Sequence, residues 1–291
     1  MEDLKGKICL VTGATSGMGE AAAHALAQRN ATVILVARDM GRAWKTIGRI
    51  KSQTGNSSIE AMIYDLSSQA EIRELVTDFK SKYQRLDVLV NNAGAWFNKR
   101  QLSADGIEMT FALNHLGPYL LTNLLLDSLK TAAPSRIVNV SSYGHAKIKG
   151  MNFDDLQFQK NYGNGMRAYR QSKLANILFT YELARRLSGT GVTVNAANPG
   201  LVATNFGMNN VPWLKGWMRN IWKDIFGMFA LSPDSGAQTA ILLASAAGVE
   251  KVTGKYFTKE MPEKSSPGSY DEAAASRLWE ISVRMTGLKL D

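Results

Sequence analysis

The chain has 291 residues, of which 45% are hydrophobic, and a formal net charge of +9. This length fits one large domain or two small ones, and the apolar fraction supports a sizeable core. The charge could favour nucleic acid, an anionic membrane surface or a phosphorylated ligand. Because the 34 Lys and Arg residues are scattered without a block of five or six, a solvated surface is favoured and no nucleic-acid partner is expected.

Metal and disulfide chemistry are not indicated. Cys9 is the only cysteine and lies in the apolar run ICLV, so it is predicted to be a buried strand residue. His24, His115 and His145 lie far apart without the spacing of metal ligands. No metal is therefore expected.

Targeting signals are not evident either. No apolar run reaches the roughly 18 residues of a membrane span. The start, MEDLKGKICLVTG, carries acids where a signal peptide has a basic region followed by an apolar one. We expect a cytoplasmic protein, or one that contacts a membrane peripherally.

Short apolar, β-rich runs alternate with helical stretches along the chain. Runs of this length are typical of strands covered on both faces, and their alternation with helices implies right-handed crossovers and a parallel sheet. We predict an α/β fold of the doubly wound Rossmann type, with helices on both faces of a mostly parallel, seven-stranded sheet. The predicted strands are 7–12, 32–37, 58–66, 86–92, 136–142, 192–199 and 255–258.

A glycine-rich turn follows the first predicted strand, in TGATSGMGEAAAHALA. Glycines at a strand-to-helix turn let the backbone approach a pyrophosphate, and the amides of the helix N-terminus supply donors. This position favours a dinucleotide site over a plain turn. The predicted cofactor contacts here are Gly13, Thr15, Ser16, Gly17, Met18 and Gly19.

The spacing T-G-x-x-x-G-x-G resembles the short-chain dehydrogenase/reductase family. Further motifs follow in that family's order, from about residue 5 to residue 258: NNAG, LNHLG, NVSS, Y-x-x-x-K and NPG. The resemblance implies a nicotinamide cofactor. It also implies cofactor contacts from Leu66, Asn92, Ala93, Gly94, Pro199, Gly200, Val202 and Thr204.

Three stretches are similar to the retinol dehydrogenase-like branch of that family: 105–126, 169–204 and 277–288. That branch acts on retinoids and other lipophilic carbonyls, which implies a small lipophilic carbonyl or alcohol substrate. Membrane-bound members carry an N-terminal anchor, and this sequence shows none. A soluble or peripheral homologue is therefore expected, which argues against retinal as the natural substrate.

The choice of dinucleotide depends on the end of the second strand, VILVARD. An acidic residue there would bond the adenosine ribose, whereas an arginine would hold a 2′-phosphate. Arg38 therefore favours NADP(H) over NAD(H), although a shift of one residue would bring Asp39 into the site. The resemblance gives Asp65 a contact with the adenine amino group, and this residue is also a suitable N-cap for the following helix.

The stretch AYRQSKLAN places Tyr169 and Lys173 on one helix face. A tyrosine pKa of about 10 is too high for acid–base work at neutral pH, and we expect the nearby cation to lower it. The resemblance makes Tyr169 the acid/base and has Lys173 bond the nicotinamide ribose. It has Ser142, rather than its neighbour Ser141, donate to the substrate carbonyl, and has Asn114 hold a water in a proton relay.

Two later regions are expected to shape the pocket. The loop after Ser142 should form its edge. His145 in this loop is close enough in sequence to line the pocket, but a position at the loop surface is favoured. The aromatic-rich segment 208–233 has three open interpretations: core, mobile substrate lid, or interfacial membrane helix. We expect one domain, 1–291, with a cofactor-binding half of about 5–142, a substrate pocket and lid of about 143–232, and a C-terminal helix of about 271–288.

The leading hypothesis is an NADP(H)-dependent carbonyl reductase or alcohol dehydrogenase for lipophilic aldehydes, ketones or retinoid-like molecules. The alternative is a non-catalytic NADP(H)-binding redox sensor with the same fold. The intact set Asn114, Ser142, Tyr169 and Lys173 favours the enzyme. By analogy with the family, a homo-oligomer would pair through the helices of 104–130 and 166–188, and the sequence leaves the oligomeric state open.

Overall fold

All seven predicted apolar runs form strands in the computed structural model, which describes residues 3–200, 202 and 231–289. They pair in parallel in the order β3-β2-β1-β4-β5-β6-β7. The predicted doubly wound parallel sheet is thus confirmed. The strands are β1 (Ile8–Thr12), β2 (Thr32–Ala37), β3 (Ile59–Ile63), β4 (Val88–Asn91), β5 (Ser135–Val140), β6 (Val192–Asn198) and β7 (Lys255–Thr258).

An eighth strand extends the sheet beyond the prediction. β8 (Met261–Glu263) pairs antiparallel with β7, and its three residues are exposed. It contains Pro262, which suits an edge strand because proline cannot donate to the ladder. A run of three exposed residues carries no apolar pattern, so the seven-strand prediction was one strand short.

Helices cover both faces of the sheet, as predicted. Two of them flank a π-helical turn, which is described with the site, and the predicted C-terminal helix packs against α7. The helices are α1 (Gly17–Ala27), α2 (Met40–Thr54), α3 (Gln69–Lys82), α4 (Met109–Phe111), α5 (Gly117–Leu124), α6 (Leu126–Thr131), α7 (Met166–Arg186), α8 (Pro233–Ser245) and α9 (Glu272–Thr286).

The strand side chains divide between two core clusters. On β1, Leu10 packs with α3, α5 and α7, whereas Cys9 and Val11 pack with α1 and α8 on the opposite face. Because both faces are buried, the strands have continuous apolar runs instead of alternating patterns. Cys9 is fully buried, as predicted, and burial raises the pKa of its thiol.

Residues 3–200, 202 and 231–289 include no helix that is long and apolar enough to cross a membrane. The aromatic-rich segment 208–233 lies outside the described residues except for its last three. Thr204 and the tryptophans of that segment therefore carry no structural description.

Candidate active site

The turn between β1 and α1 is a backbone cradle with little room for side chains. Gly13 and Gly17 have φ values of +64° and +58°, which glycine adopts without steric cost. A Cβ on Gly19 would collide with the Gly13 carbonyl and the Asn92 side chain. Ser16 begins α1 without a side-chain cap, so the first amides of this helix are oriented to bind an anion.

The carboxyl ends of β1 and β4 are tied together beside this turn. Thr12 Oγ1 accepts hydrogen bonds from the backbone amides of Asn92 and Ala93, both at 2.9 Å. In return, Asn92 Nδ2 donates to the carbonyl oxygens of Thr12, at 2.9 Å, and Gly13, at 3.3 Å. Asn92 and Ala93 thus lie beside the cradle, held there by Thr12, the first residue of the T-G-x-x-x-G-x-G motif, which was not among the predicted site residues.

At the end of β2, Arg38 and Asp39 have different partners. The Arg38 side chain is exposed, and its guanidinium lies 3.8 Å from Asp65 Oδ2. The Asp39 carboxylate accepts a hydrogen bond from the Arg42 backbone amide at 2.8 Å and caps α2. Asp39 is therefore engaged by the helix, and Arg38 is the residue beside Asp65.

Asp65 does not cap the following helix, so that expectation was wrong. Its Oδ1 accepts hydrogen bonds from the amide and hydroxyl of Ser67, both at 2.8 Å. Ser68 is the N-cap of α3 and accepts from the Glu71 amide. The side chain of Leu66, a predicted cofactor contact, is buried in the core cluster.

Asn114 lies in the π-helical turn Ala112–Leu116 between α4 and α5, a widened geometry that often marks functional sites. Its Oδ1 accepts from the Ala95 amide, and its Nδ2 donates to the Ala95 carbonyl and to Ser172 Oγ, all at 2.9 Å. Asn114 therefore joins the segment after β4 to α7. A carbonyl oxygen has two lone pairs, so Oδ1 retains capacity for one more donor.

Ser142 and Tyr169 meet at the carboxyl edge of the sheet. Their side chains share a hydrogen bond, and a Cβ on Gly144 would lie 3.5 Å from Ser142 Oγ and 3.6 Å from Tyr169 Cε1. Ser141 is buried, and its Oγ donates to the Lys173 carbonyl at 2.9 Å. The structure thus brings Ser142, rather than Ser141, to the phenol.

Lys173 is 5% exposed. Its Nζ donates to the Val140 carbonyl at 3.0 Å and lies 5.7 Å from the centre of the Tyr169 ring. A Cβ on Gly94 would lie 3.4 Å from this Nζ and 3.3 Å from Asn114 Oδ1. Both polar atoms therefore lie against the same glycine of the NNAG motif.

The ionisation of this pair differs from the expectation. Burial raises the pKa of Tyr169 to about 12, while the Ser142 hydrogen bond acts in the opposite direction. Burial also lowers the pKa of Lys173 to about 8. The prediction that the pKa of Tyr169 is lowered is wrong for the protein by itself, because burial of the phenol raises it by more than the Ser142 hydrogen bond lowers it.

The residues after β6 border the site on the side of α8. Gly200 has a φ of +76° and donates its amide to Asn198 Oδ1 at 3.2 Å. A Cβ on Gly236, in α8, would collide with the Val202 side chain. A small cleft lies between these parts, and its lining includes three predicted cofactor residues, Met18, Asn92 and Pro199.

His145 is buried, so the expectation of a surface position was wrong. It is 1% exposed, and its two ring nitrogens lie within hydrogen-bond distance of Ser142 and Ser266. The partner from the C-terminal part of the chain could not be read from a local pattern. The only local signal was the closeness of His145 to Ser142 in the sequence.

The amino-acid sequence matches known proteins over nearly the whole chain. Residues 7–153 and 157–215 match the family described as short chain dehydrogenase. Human retinol dehydrogenase 13 is 42% identical over 287 residues, which cover 98% of this chain and 86% of that protein.

Solved structures agree with this match. An uncharacterised protein from Mycobacterium paratuberculosis superposes with a TM-score of 0.79 at 29% identity, covering 100% of this chain and 97% of that one. The RhlG/NADP active-site complex of Pseudomonas aeruginosa has a TM-score of 0.69 at 28% identity, covering 88% and 97%. The chain therefore belongs to the short-chain dehydrogenase/reductase family of oxidoreductases, in its retinol dehydrogenase-like branch.

Proposed function

We propose that this protein is an NADP(H)-dependent oxidoreductase that interconverts the carbonyl and alcohol forms of a lipophilic aldehyde, ketone or retinoid-like substrate. One observation carries the proposal: the Tyr169 hydroxyl bonds Ser142 while Lys173 lies on the same face of α7. A phenol with a neighbouring hydroxyl donor and a cation is suited to protonate a carbonyl oxygen.

The glycine turn fits a dinucleotide. A Cβ at Gly19 would occupy the cradle, and the first turn of α1 has amides for a pyrophosphate. Arg38, exposed beside Asp65, would bind a 2′-phosphate, which favours NADP(H) over NAD(H). When bound, the cofactor supplies or accepts the hydride. The other proposed contacts are Gly13, Thr15, Ser16, Gly17, Met18, Leu66, Asn92, Ala93, Gly94, Pro199, Gly200, Val202 and Thr204.

The catalytic residues have separate tasks in this proposal. Ser142 donates a hydrogen bond to the substrate oxygen, and Tyr169 transfers its phenolic proton to that oxygen during reduction. The raised pKa of Tyr169 keeps the phenol protonated near neutral pH, which is the form that a reduction needs. Lys173 binds the nicotinamide ribose, and Asn114 Oδ1 holds a water that resupplies the proton.

The proposal also covers the substrate class, the domain organisation, the location and the oligomeric state of the protein. The relative named above is a retinol dehydrogenase, which supports a lipophilic substrate, and we retain one domain and a cytoplasmic or peripheral location. Trp279 of α9 packs 5.0 Å from Tyr119 of α5 and 6.0 Å from Phe179 of α7, so α9 covers part of the helices through which a homo-oligomer would pair by analogy with the family.

A carbonyl panel tests the proposal. Purified protein is mixed with NADPH or NADH and with aliphatic aldehydes, ketones, aromatic aldehydes and retinal, and cofactor oxidation is followed by absorbance, with Tyr169→Phe as the control. We expect turnover with lipophilic carbonyls, a preference for NADPH and turnover about 10³-fold lower in the variant. NADPH binding without turnover of any carbonyl would contradict the enzyme and support the redox sensor.

A further inference from the structure

His145 connects the reacting centre to a distant part of the chain. Its ring lies between Ser142, at the end of β5, and the C-terminal turn, which we define as residues 265–270. Nδ1 lies 2.7 Å from the Ser142 carbonyl oxygen, and Nε2 lies 3.1 Å from the Ser266 backbone nitrogen. The ring is also packed edge-on against Tyr256, at 5.0 Å between centroids.

The partners of the ring determine which nitrogen carries the proton. The Ser266 amide can only donate, so Nε2 must accept and is unprotonated. The Ser142 carbonyl can only accept, so Nδ1 carries the hydrogen and donates it. Burial lowers the pKa of His145, which favours this neutral form.

This ring hydrogen bond acts on the backbone that orients the Ser142 side chain. The Ser142 carbonyl accepts from His145 twice, from Nδ1 and, at 3.2 Å, from the backbone amide. Ser142 Oγ accepts from the Gly144 amide at 3.1 Å. With both ends of the residue held, the hydroxyl has a defined direction toward Tyr169.

The C-terminal turn is itself fixed to α7, the helix that carries Tyr169. Ser265 Oγ lies 2.7 Å from the Tyr181 hydroxyl of α7. The Tyr270 ring stacks on the Tyr181 ring with 5.4 Å between centroids. The contacts therefore form a closed path from Ser142 through His145 and the C-terminal turn to α7.

We propose that His145 is a positioning residue for the proposed reaction: its ring, held in one tautomer by the Ser266 amide, donates from Nδ1 to the Ser142 carbonyl and thereby sets the distance between the Ser142 and Tyr169 hydroxyls. His145 touches neither the proposed substrate oxygen nor the phenol, and it acts only through Ser142. This inference rests on the proposed function.

Two substitutions separate the two hydrogen bonds of the ring. In His145→Asn, the amide nitrogen stands where Nδ1 stood and can still donate to the Ser142 carbonyl, but the side chain is too short to reach Ser266. In His145→Gln, the terminal oxygen can still accept from Ser266, but no donor faces Ser142. The pair thus compares loss of the Ser266 contact with loss of the Ser142 contact.

The measurement is steady-state kinetics with NADPH and the best carbonyl from the panel. We expect His145→Gln to lower kcat by at least about tenfold with an NADPH KM within about twofold of wild type, because small misplacements of a catalytic group are costly. We expect His145→Asn to retain kcat within about threefold. In a Ser142→Ala background, neither substitution should lower kcat further, since the residue acts through Ser142.

Thermal unfolding with and without NADPH checks that each variant folds and binds cofactor. Three results would each overturn the inference and leave the proposed function standing. The first is a wild-type kcat in His145→Gln, and the second is an equal loss of kcat in His145→Gln and His145→Asn. The third is a loss of kcat from His145→Gln in the Ser142→Ala background that is as large as in the wild-type background. If wild-type protein turns over no carbonyl at all, the proposed function fails, and this inference fails with it.

Discussion

The glycine turn and the Ser142–Tyr169 centre lie at the same edge of the sheet but are built differently. The turn is formed by neighbours in sequence, Gly13 to Gly19, with Asn92 as its main distant support. The centre joins the end of β5 to α7 and is supported by Ser266, 121 positions from His145. A local motif thus describes the glycine turn almost completely, whereas the Ser142–Tyr169 centre depends on tertiary contacts.

The largest expected effect falls on the reacting side. Tyr169→Phe removes the proposed proton donor and should lower kcat by about 10³-fold, within the range for general acid–base catalysis. NADPH binding, followed by fluorescence titration, should change by less than about twofold, because the cradle is untouched. A variant that keeps more than a tenth of wild-type kcat would show that Tyr169 is not the acid.

A substitution in the glycine turn should change NADPH binding, which Tyr169→Phe leaves nearly unchanged. Gly19→Ala places a methyl group against the Gly13 carbonyl and the Asn92 side chain and should weaken NADPH binding by at least about tenfold, or ~1.4 kcal/mol.

Gly48→Ala, in the exposed face of α2, is the matched control, since a Cβ there meets no atom within 4 Å. It should leave binding unchanged and raise the free energy of unfolding by roughly 0.5–1 kcal/mol. Equal NADPH affinities in Gly19→Ala and Gly48→Ala would contradict the cradle.

Cofactor choice is a smaller effect at the edge of the cofactor side. Arg38→Gln removes the exposed cation and should raise the NADPH KM by roughly tenfold, the lower end of the effect of a hydrogen bond to a charged group, because the side chain is exposed. The NADH KM should not change. Arg42→Gln, one turn into α2, is the control, and if both variants raise the NADPH KM equally, Arg38 is not the specificity residue.

The smallest effect is a pH dependence of stability from Lys173. Its folded-state pKa is lowered from 10.5 to about 8, so between these pH values the unfolded chain binds a proton that the folded protein releases. Stability from this group therefore rises as the pH passes from about 8 toward 10.5, by up to ~1 kcal/mol per pH unit.

Lys173→Met lacks this titration. Urea unfolding of both proteins at pH 7 and pH 9 should show the wild type gaining stability relative to the variant at the higher pH. Other titrating groups are common to both proteins and cancel in the difference. A constant difference between pH 7 and pH 9 would contradict a buried, destabilised ammonium.

The sequence predicted the strands because both faces of the sheet are buried, and it predicted the turn because glycine is required at Gly13 and Gly19. It missed β8, whose three exposed residues have no apolar pattern. It placed His145 at the surface because its partner Ser266 lies in another segment.

The sequence pattern also did not predict the protonation states of Tyr169 and Lys173. The spacing of Tyr169 and Lys173 predicts that they share a helix face, which the structure confirms. The spacing does not say how deeply either group is buried, and burial sets the pKa of both. Residue identity and spacing therefore predicted which groups meet but not their ionisation.

Direct transfer of label tests the central claim, that hydride moves to a carbonyl held at the Ser142–Tyr169 centre. Wild type and Tyr169→Phe are incubated with the best carbonyl and NADPH deuterated at either the 4R or the 4S position, and the alcohol is analysed by mass spectrometry. We predict deuterium on the carbinol carbon from one of the two labelled cofactors with wild type, and about 10³-fold less product with the variant. Unlabelled alcohol from both cofactors, or no alcohol despite NADPH binding, would contradict this account.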